Sequence, residues 1–249
     1  MNSQTNKNNF SEYKTKTLSE IVTDNFHTAV VFEKYNLDYC CNGKRQFEDA
    51  CMKNSIDPNL VIIDLEKINN NITVNEQNYD EWELDFLIDY IINNHHQYIR
   101  RMIPLIAEYG GKAAAAHSEN HPELLKISEI FAVIYKDLKQ HMLKEEQILF
   151  PFIKQIVQAK KNKGQAEKPY FGSVQHPIRM MEAEHENAGD GFREIRRLSE
   201  DYKIPADACS TYSAFYNALM EFEKDLHKHI HLENNILFPK AITLENEML

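Results

Sequence analysis

Two stretches of the chain read almost as one: HMLKEEQILFP from His141 to Pro151, and HIHLENNILFP from His229 to Pro239. Each places a histidine and a glutamate four residues apart, a spacing that brings both side chains to one face of a helix. The repeat reaches further back. His96 precedes His141 by 45 residues and His185 precedes His229 by 44. The recurring unit is therefore a helical hairpin with one histidine on its first arm and His-x-x-x-Glu on its second. Such a chain must pair its two hairpins about these residues, because polar side chains left alone in an apolar core are costly.

Helical periodicity predicts four long amphipathic helices and an all-α, four-helix bundle. The first runs from about Glu81 to Tyr109 and is expected to stop at Gly110-Gly111. The second follows His121-Pro122, the third spans roughly Pro177 to Asp201, and the fourth about Ala208 to Ala241. On the second helix, Ile134, Leu138, Leu149 and Phe152 mark an apolar stripe that contains His141 and Glu145. On the fourth, Leu219, Phe222, Leu226 and Leu237 mark one that contains His229 and Glu233. Carboxylates in a bundle core call for a shared cation. Four imidazoles and two carboxylates exceed the four ligands of a structural zinc and fit two iron or manganese ions, with each Glu able to bridge. On the first helix the periodicity favours His95, in the middle of the stripe, over His96 at its edge. The prolines of both ILFP tails are expected to bend or end their helices. His27, His117, His121, His176, His227 and His231 read as surface or outer residues, with His117 and His121 near the mouth of the bundle.

A different unit precedes the bundle. The expected organisation is a flexible tail at 1–14, a small helical module at 15–67 around NLDYCCNGKR, an Asn-rich linker at 68–80 and the bundle at 81–249. A net charge of −10 argues against nucleic acid or an anionic membrane as partner. No apolar run of about 18 residues is present, so no transmembrane helix is expected. The polar N-terminus lacks the apolar core of a signal peptide. Four cysteines, two of them adjacent, do not form a disulfide framework, and the chain is expected in the cytoplasm. Cys51 and Cys209 are expected to be structural.

DYCCNGK, HMLKEEQILFP, MEAEHENAG, ACSTY and HIHLENNILFP, in this order over nearly the whole chain, resemble the repair-of-iron-centres family. These are hemerythrin-like di-iron proteins deployed by bacteria against nitrosative and oxidative stress. The resemblance implies metal ligands at His96, His141, Glu145, His185, His229 and Glu233, so it favours His96 over His95. It implies two non-haem iron ions, bridged by the two carboxylates and by an oxo group when oxidised. It also implies damaged iron–sulfur proteins as clients, NO or O2-derived small molecules as further partners, and repair by iron donation rather than conventional enzymatic turnover. The sequence admits a homodimer. Adjacent Cys40 and Cys41 match the family's N-terminal motif and are expected to act as a thiol relay for iron, with Lys44 and Arg45 lowering a thiol pKa. Two other functions stay open: reduction of NO to N2O at the di-iron site, and reversible O2 or NO binding as a sensor or carrier. Hemerythrin-type oxygen carriers use five histidines against the four expected here, which favours exchange or chemistry over carriage.

Overall fold

The computed structural model describes residues 12–70 and 78–249. The tail expected at 1–14 lies outside the described residues up to residue 11, as does 71–77 of the expected linker. The chain divides into two compact units, Met1–Glu83 with Ile230–Pro239, and Leu84–His229 with Lys240–Leu249. Among the described residues no helix is long and apolar enough to cross a membrane.

In the first unit, α1 (Leu18–Asp24), α2 (Ala29–Lys34), α3 (Phe47–Lys53) and α4 (Pro58–Asn70) are short. Thr17 and Glu20 start α1 with a capping box, each satisfying a backbone N–H of the other's end. Leu18, Ile21, Val22, Phe32, Phe47 and Leu65 are buried between these helices. The loop from α2 to α3 carries Cys40 and Cys41. A Cβ at Gly43 would sit 2.2 Å from the Tyr39 carbonyl oxygen and 2.8 Å from the Ser19 Cβ, so only glycine fits this loop.

The second unit holds the long helices. Helix α5 runs through Leu84–Tyr90, a π turn at Ile91–His96, and Gln97–His117. Helix α6 runs through Glu123–Lys144, a π turn at Glu145–Leu149, and Phe150–Lys161. Helix α7 is Gln175–Leu198. Helix α8 comprises Ser210–His231, a π turn at Leu232–Leu237 and Phe238–Met248. The four meet at Phe222 of α8, whose ring lies 6.2 Å from Tyr98 of α5, 5.5 Å from Phe131 of α6 and 5.9 Å from Phe192 of α7. That is a bundle core of the kind the apolar stripes require.

At three places where a helix end was expected, the helix continues. Helix α5 continues through Gly110-Gly111 to His117. Gly110 is there for close approach: a Cβ would meet Phe215 and the Ser128 hydroxyl, both at 2.9 Å. Pro151 and Pro239 do not end their helices either, since each lies just beyond a π turn and is exposed. The wider register of a π turn already leaves a backbone carbonyl outside the regular ladder, so a residue with no N–H is accommodated there.

Candidate metal centre

Three π turns interrupt the bundle helices, and each carries a candidate ligand: His96 in α5, Glu145 in α6 and Glu233 in α8. Such turns insert a residue and re-aim side chains, and they concentrate at functional sites. They explain why a regular helical wheel sets His96 away from the centre of the apolar stripe. His96, at the edge of the stripe in α geometry, is fully buried and faces the other donors.

His96, His141, Glu145, His185, His229 and Glu233 are all buried, none above 1% exposed. His141 Nε2 lies 3.0 Å from His185 Nε2 and 3.3 Å from Glu145 Oε2. His96 Nε2 lies 3.3 Å from His229 Nε2 and 3.4 Å from Glu145 Oε2. Glu233 follows His229 by four residues, in the π turn that continues the same helix. The donors form two groups, His96/Glu145/His229/Glu233 and His141/Glu145/His185/Glu233, each with its ligand atoms within 4.8 Å of one another. Glu145 and Glu233 belong to both.

The tautomers show whether a cation fits. His96 Nδ1–H donates to Glu146 Oε1 at 2.6 Å, and His141 Nδ1–H donates to Glu184 Oε2 at 2.9 Å. Carboxylates only accept, so the proton of each ring is held outward and the bare Nε2 lone pair turns inward. Lone pairs then face other imidazole nitrogens and the oxygen of Glu145 in a dry interior. That arrangement is repulsive by itself and attractive around a cation.

The outer carboxylates are themselves held. Glu146 accepts from Arg100 at 2.6 Å and Glu184 from Lys144. The His96 ring, followed by Arg100, lowers the Glu146 pKa despite partial burial. The His141 ring, followed by Lys144, lowers Glu184 to about 2. Glu184 therefore orients His141 across the bundle and not its chain neighbour His185. The sequence reading passed over Glu146. Its signal was a mismatch between the two copies, where Glu146 stands opposite Asn234.

His95 is buried too, but its Nδ1 pairs with Asp225 Oδ1 at 3.0 Å and it belongs to neither donor group. His231, expected to be a surface or outer residue, is 1% exposed and packs its ring against Phe26 and Tyr39. His117 and His121 lie at the turn between α5 and α6, against Tyr212 near the start of α8.

In the N-terminal loop, Asp38 Oδ1 accepts from the Cys41 backbone N–H at 2.9 Å, and Cys40 Sγ lies 3.8 Å from Cys41 Sγ. Asp38, Cys40 and Cys41 form a third potential cation group. The expected lowering of a thiol pKa fails at Cys40. Its hydrogen bond with Cys41, burial and the Asp38 charge push it well above the ordinary value. Cys51 is buried and pushed up to about 11 by burial. Cys209, expected to be structural, is exposed. Backbone N–H groups led by Tyr212, together with His117, lower its pKa.

A family model described as the hemerythrin HHE cation binding domain matches residues 87–241. Fold and site thus define a hemerythrin-type, cation-binding helical protein. Residues 14–69 match ScdA_N, described as a domain of unknown function. The chain is 32% identical over 237 residues to the iron-sulfur cluster repair protein YtfE of Enterobacter sp. (strain 638), covering 94% of this chain and 99% of that one. It is 31% identical over 233 residues to YtfE of Shigella boydii serotype 4 (strain Sb227), with the same coverage. The chain belongs to the YtfE family of iron–sulfur cluster repair proteins.

Proposed function

We propose that this protein repairs iron–sulfur clusters damaged by nitrosative or oxidative stress in the cytoplasm, donating iron from a di-iron centre held by His96, His141, Glu145, His185, His229 and Glu233. The observation that carries this reading is the sharing of Glu145 and Glu233 between two donor groups, each completed by two imidazoles. That is the ligand set of two cations with two bridging carboxylates. Imidazole and carboxylate hold ferrous iron more loosely than thiolate does, so a cysteine-rich apo-cluster site draws it by ligand exchange. Fe–N and Fe–O bonds break, Fe–S bonds form, and the client thiols release their protons.

The chain's own residues prepare that exchange. Glu146 and Glu184 orient His96 and His141, and Arg100 and Lys144 hold those carboxylates. Asp38, Cys40 and Cys41 act as a soft-donor relay toward the client, and metal uptake there displaces the Cys40 proton. If Cys40→Ala plus Cys41→Ala leaves repair of a nitrosylated client unchanged, the relay is wrong.

A second reading draws on the donor count. Each group offers four protein donors, fewer than the about six of octahedral coordination. Two ferrous ions held by these residues would have room for further ligands and could supply the two electrons that turn two NO molecules and two protons into N2O and water.

The test is metal content of protein purified without oxygen, followed by iron transfer to the apo form of a [4Fe–4S] protein, with gas analysis for N2O. Near two irons per chain, absent from the Glu145→Ala, Glu233→Ala double variant and transferred once per load, supports donation. N2O formed over many turnovers, with an added electron donor to re-reduce the iron, supports the second reading. One zinc, or no metal in a folded chain, overturns both.

A further inference from the structure

We propose that His95 is an alternative nitrogen ligand of the metal centre, exchanging with His96 as the turn between Ile91 and His96 passes between π and α geometry. The inference rests on the metal-binding reading above. His95 and His96 are both buried and lie side by side in one π turn. Both hold a carboxylate at Nδ1, Asp225 of α8 at 3.0 Å for His95 and Glu146 of α6 at 2.6 Å for His96. This outward carboxylate leaves Nε2 as the metal-binding nitrogen. The two differ at that nitrogen. His96 belongs to a cation group, whereas His95 Nε2 and the second oxygen of Asp225 are buried with no hydrogen-bond partner. Buried polar atoms left in this way are uncommon and unfavourable unless something binds them.

His95 also stands close to the centre. Its ring lies parallel to that of His229, with 5.6 Å between centroids and 2° between planes. In regular α geometry the stripe of Leu84, Leu87, Ile88, Ile91 and Ile99 is centred on the His95 position. The π turn adds one residue and brings His96 inward in its place. Loss of that extra residue presents His95. The exchange is a ligand substitution with no change of oxidation state. The bond from His96 Nε2 to the metal breaks, the bond from His95 Nε2 forms, and each Nδ1 keeps its proton, donated in a hydrogen bond to its own carboxylate. One half of the centre can thereby change its hold on iron without opening the bundle.

The test compares iron per chain and the optical spectrum of anaerobically purified wild type, His96→Ala, the His95→Ala, His96→Ala double variant and His141→Ala, with helix content from circular dichroism. The proposal expects His96→Ala to keep iron within about twofold of wild type, with a shifted spectrum, while the double variant and His141→Ala fall at least about tenfold. Adding Asp225→Asn to His96→Ala lowers the iron further, and does so more than it does in a chain that retains His96. His96→Gln, closer in volume, carries the same expectation where the alanine variant is unfolded. A folded His96 variant that loses as much iron as the double variant overturns the proposal and leaves the metal centre standing. Wild type without iron overturns the metal centre itself.

Discussion

The two copies of the repeated motif are alike on their inner positions and different on their outer ones. Inside, His141 and Glu145 stand opposite His229 and Glu233, all buried and all in the candidate cation groups. Outside, the first copy is charged: Glu146 is tied to His96 and Arg100, and Lys144 to Glu184. At the same places the second copy has Asn234 and Leu232. Asn234 donates to the Cys40 carbonyl at 3.3 Å, and Asn235 donates to the Tyr39 carbonyl at 3.2 Å. One copy spends its outer face on orienting candidate ligands, the other on holding the loop that carries the cysteines. Duplicated hairpins keep in common what the shared centre needs and diverge where their neighbours differ.

The largest expected effect tests the inner equivalence. Glu145→Ala and Glu233→Ala should each remove both metal ions, weakening affinity by more than about 100-fold, since even outer-shell losses reach that range. Metal analysis showing that one variant keeps a single ion while the other keeps none would break the symmetry. Outer positions come next. Glu146→Gln and Glu184→Gln should weaken metal binding about 10- to 100-fold. Asn234→Ala should change it less than about twofold and instead cost the N-terminal unit about 1 kcal/mol, read as faster amide exchange at residues 37–43. Equal effects of Glu146→Gln and Asn234→Ala on metal affinity would remove the contrast.

A third pair sharpens how closely α8 approaches the first hairpin. Gly110→Ala forces a methyl against Phe215 and Ser128 and should cost about 1–3 kcal/mol in thermal or denaturant unfolding. Gly111→Ala, with nothing within 4 Å of its Cβ, should stabilise the helix by about 0.5–1 kcal/mol. The same sign for both would sink this account.

The smallest effect concerns the two hairpin turns. His121, in the turn of the first, pairs with Asp207, in the turn of the second, at 3.0 Å. Asp207, then Glu123, raise the His121 pKa. A group raised on folding stabilises the fold fully below its unfolded value of about 6.5 and loses that contribution as pH rises through the folded value. The melting-temperature gap between wild type and Asp207→Asn should be small, because the pair is near the surface. It should be present at about pH 6 and closed by about pH 9, where histidine is neutral.

Much of the fold was legible because it rests on local periodicity. The apolar stripes place Ile134, Leu138, Leu219 and Phe222 in the core, where they are buried. Where reading failed, a local sign had a non-local cause. Gly110-Gly111 looks like a helix stop, yet Gly110 serves a contact with Phe215, which is 105 residues away in the chain. His231 has no matching histidine in the other hairpin, yet it is buried against Phe26 and Tyr39. Lys44 and Arg45 beside the cysteine pair suggest a lowered thiol pKa, but at Cys40 the hydrogen bond with Cys41, followed by burial, pushes it the other way.

By itself the sequence determined that two similar hairpins each carry His and His-x-x-x-Glu on buried stripes, because spacing along a helix is set by backbone geometry. Its periodicity centred the first stripe on His95, yet the folded chain sets His96, not His95, among the candidate cation groups. That choice belongs to the π turn at Ile91–His96, a departure from α geometry that no fixed angle per residue anticipates. The sequence could not say that Glu146, Glu184 and Asp225 would each meet a histidine on another helix. Which carboxylate reaches which imidazole across a bundle depends on how the helices are rotated and staggered, and tertiary structure alone decides that.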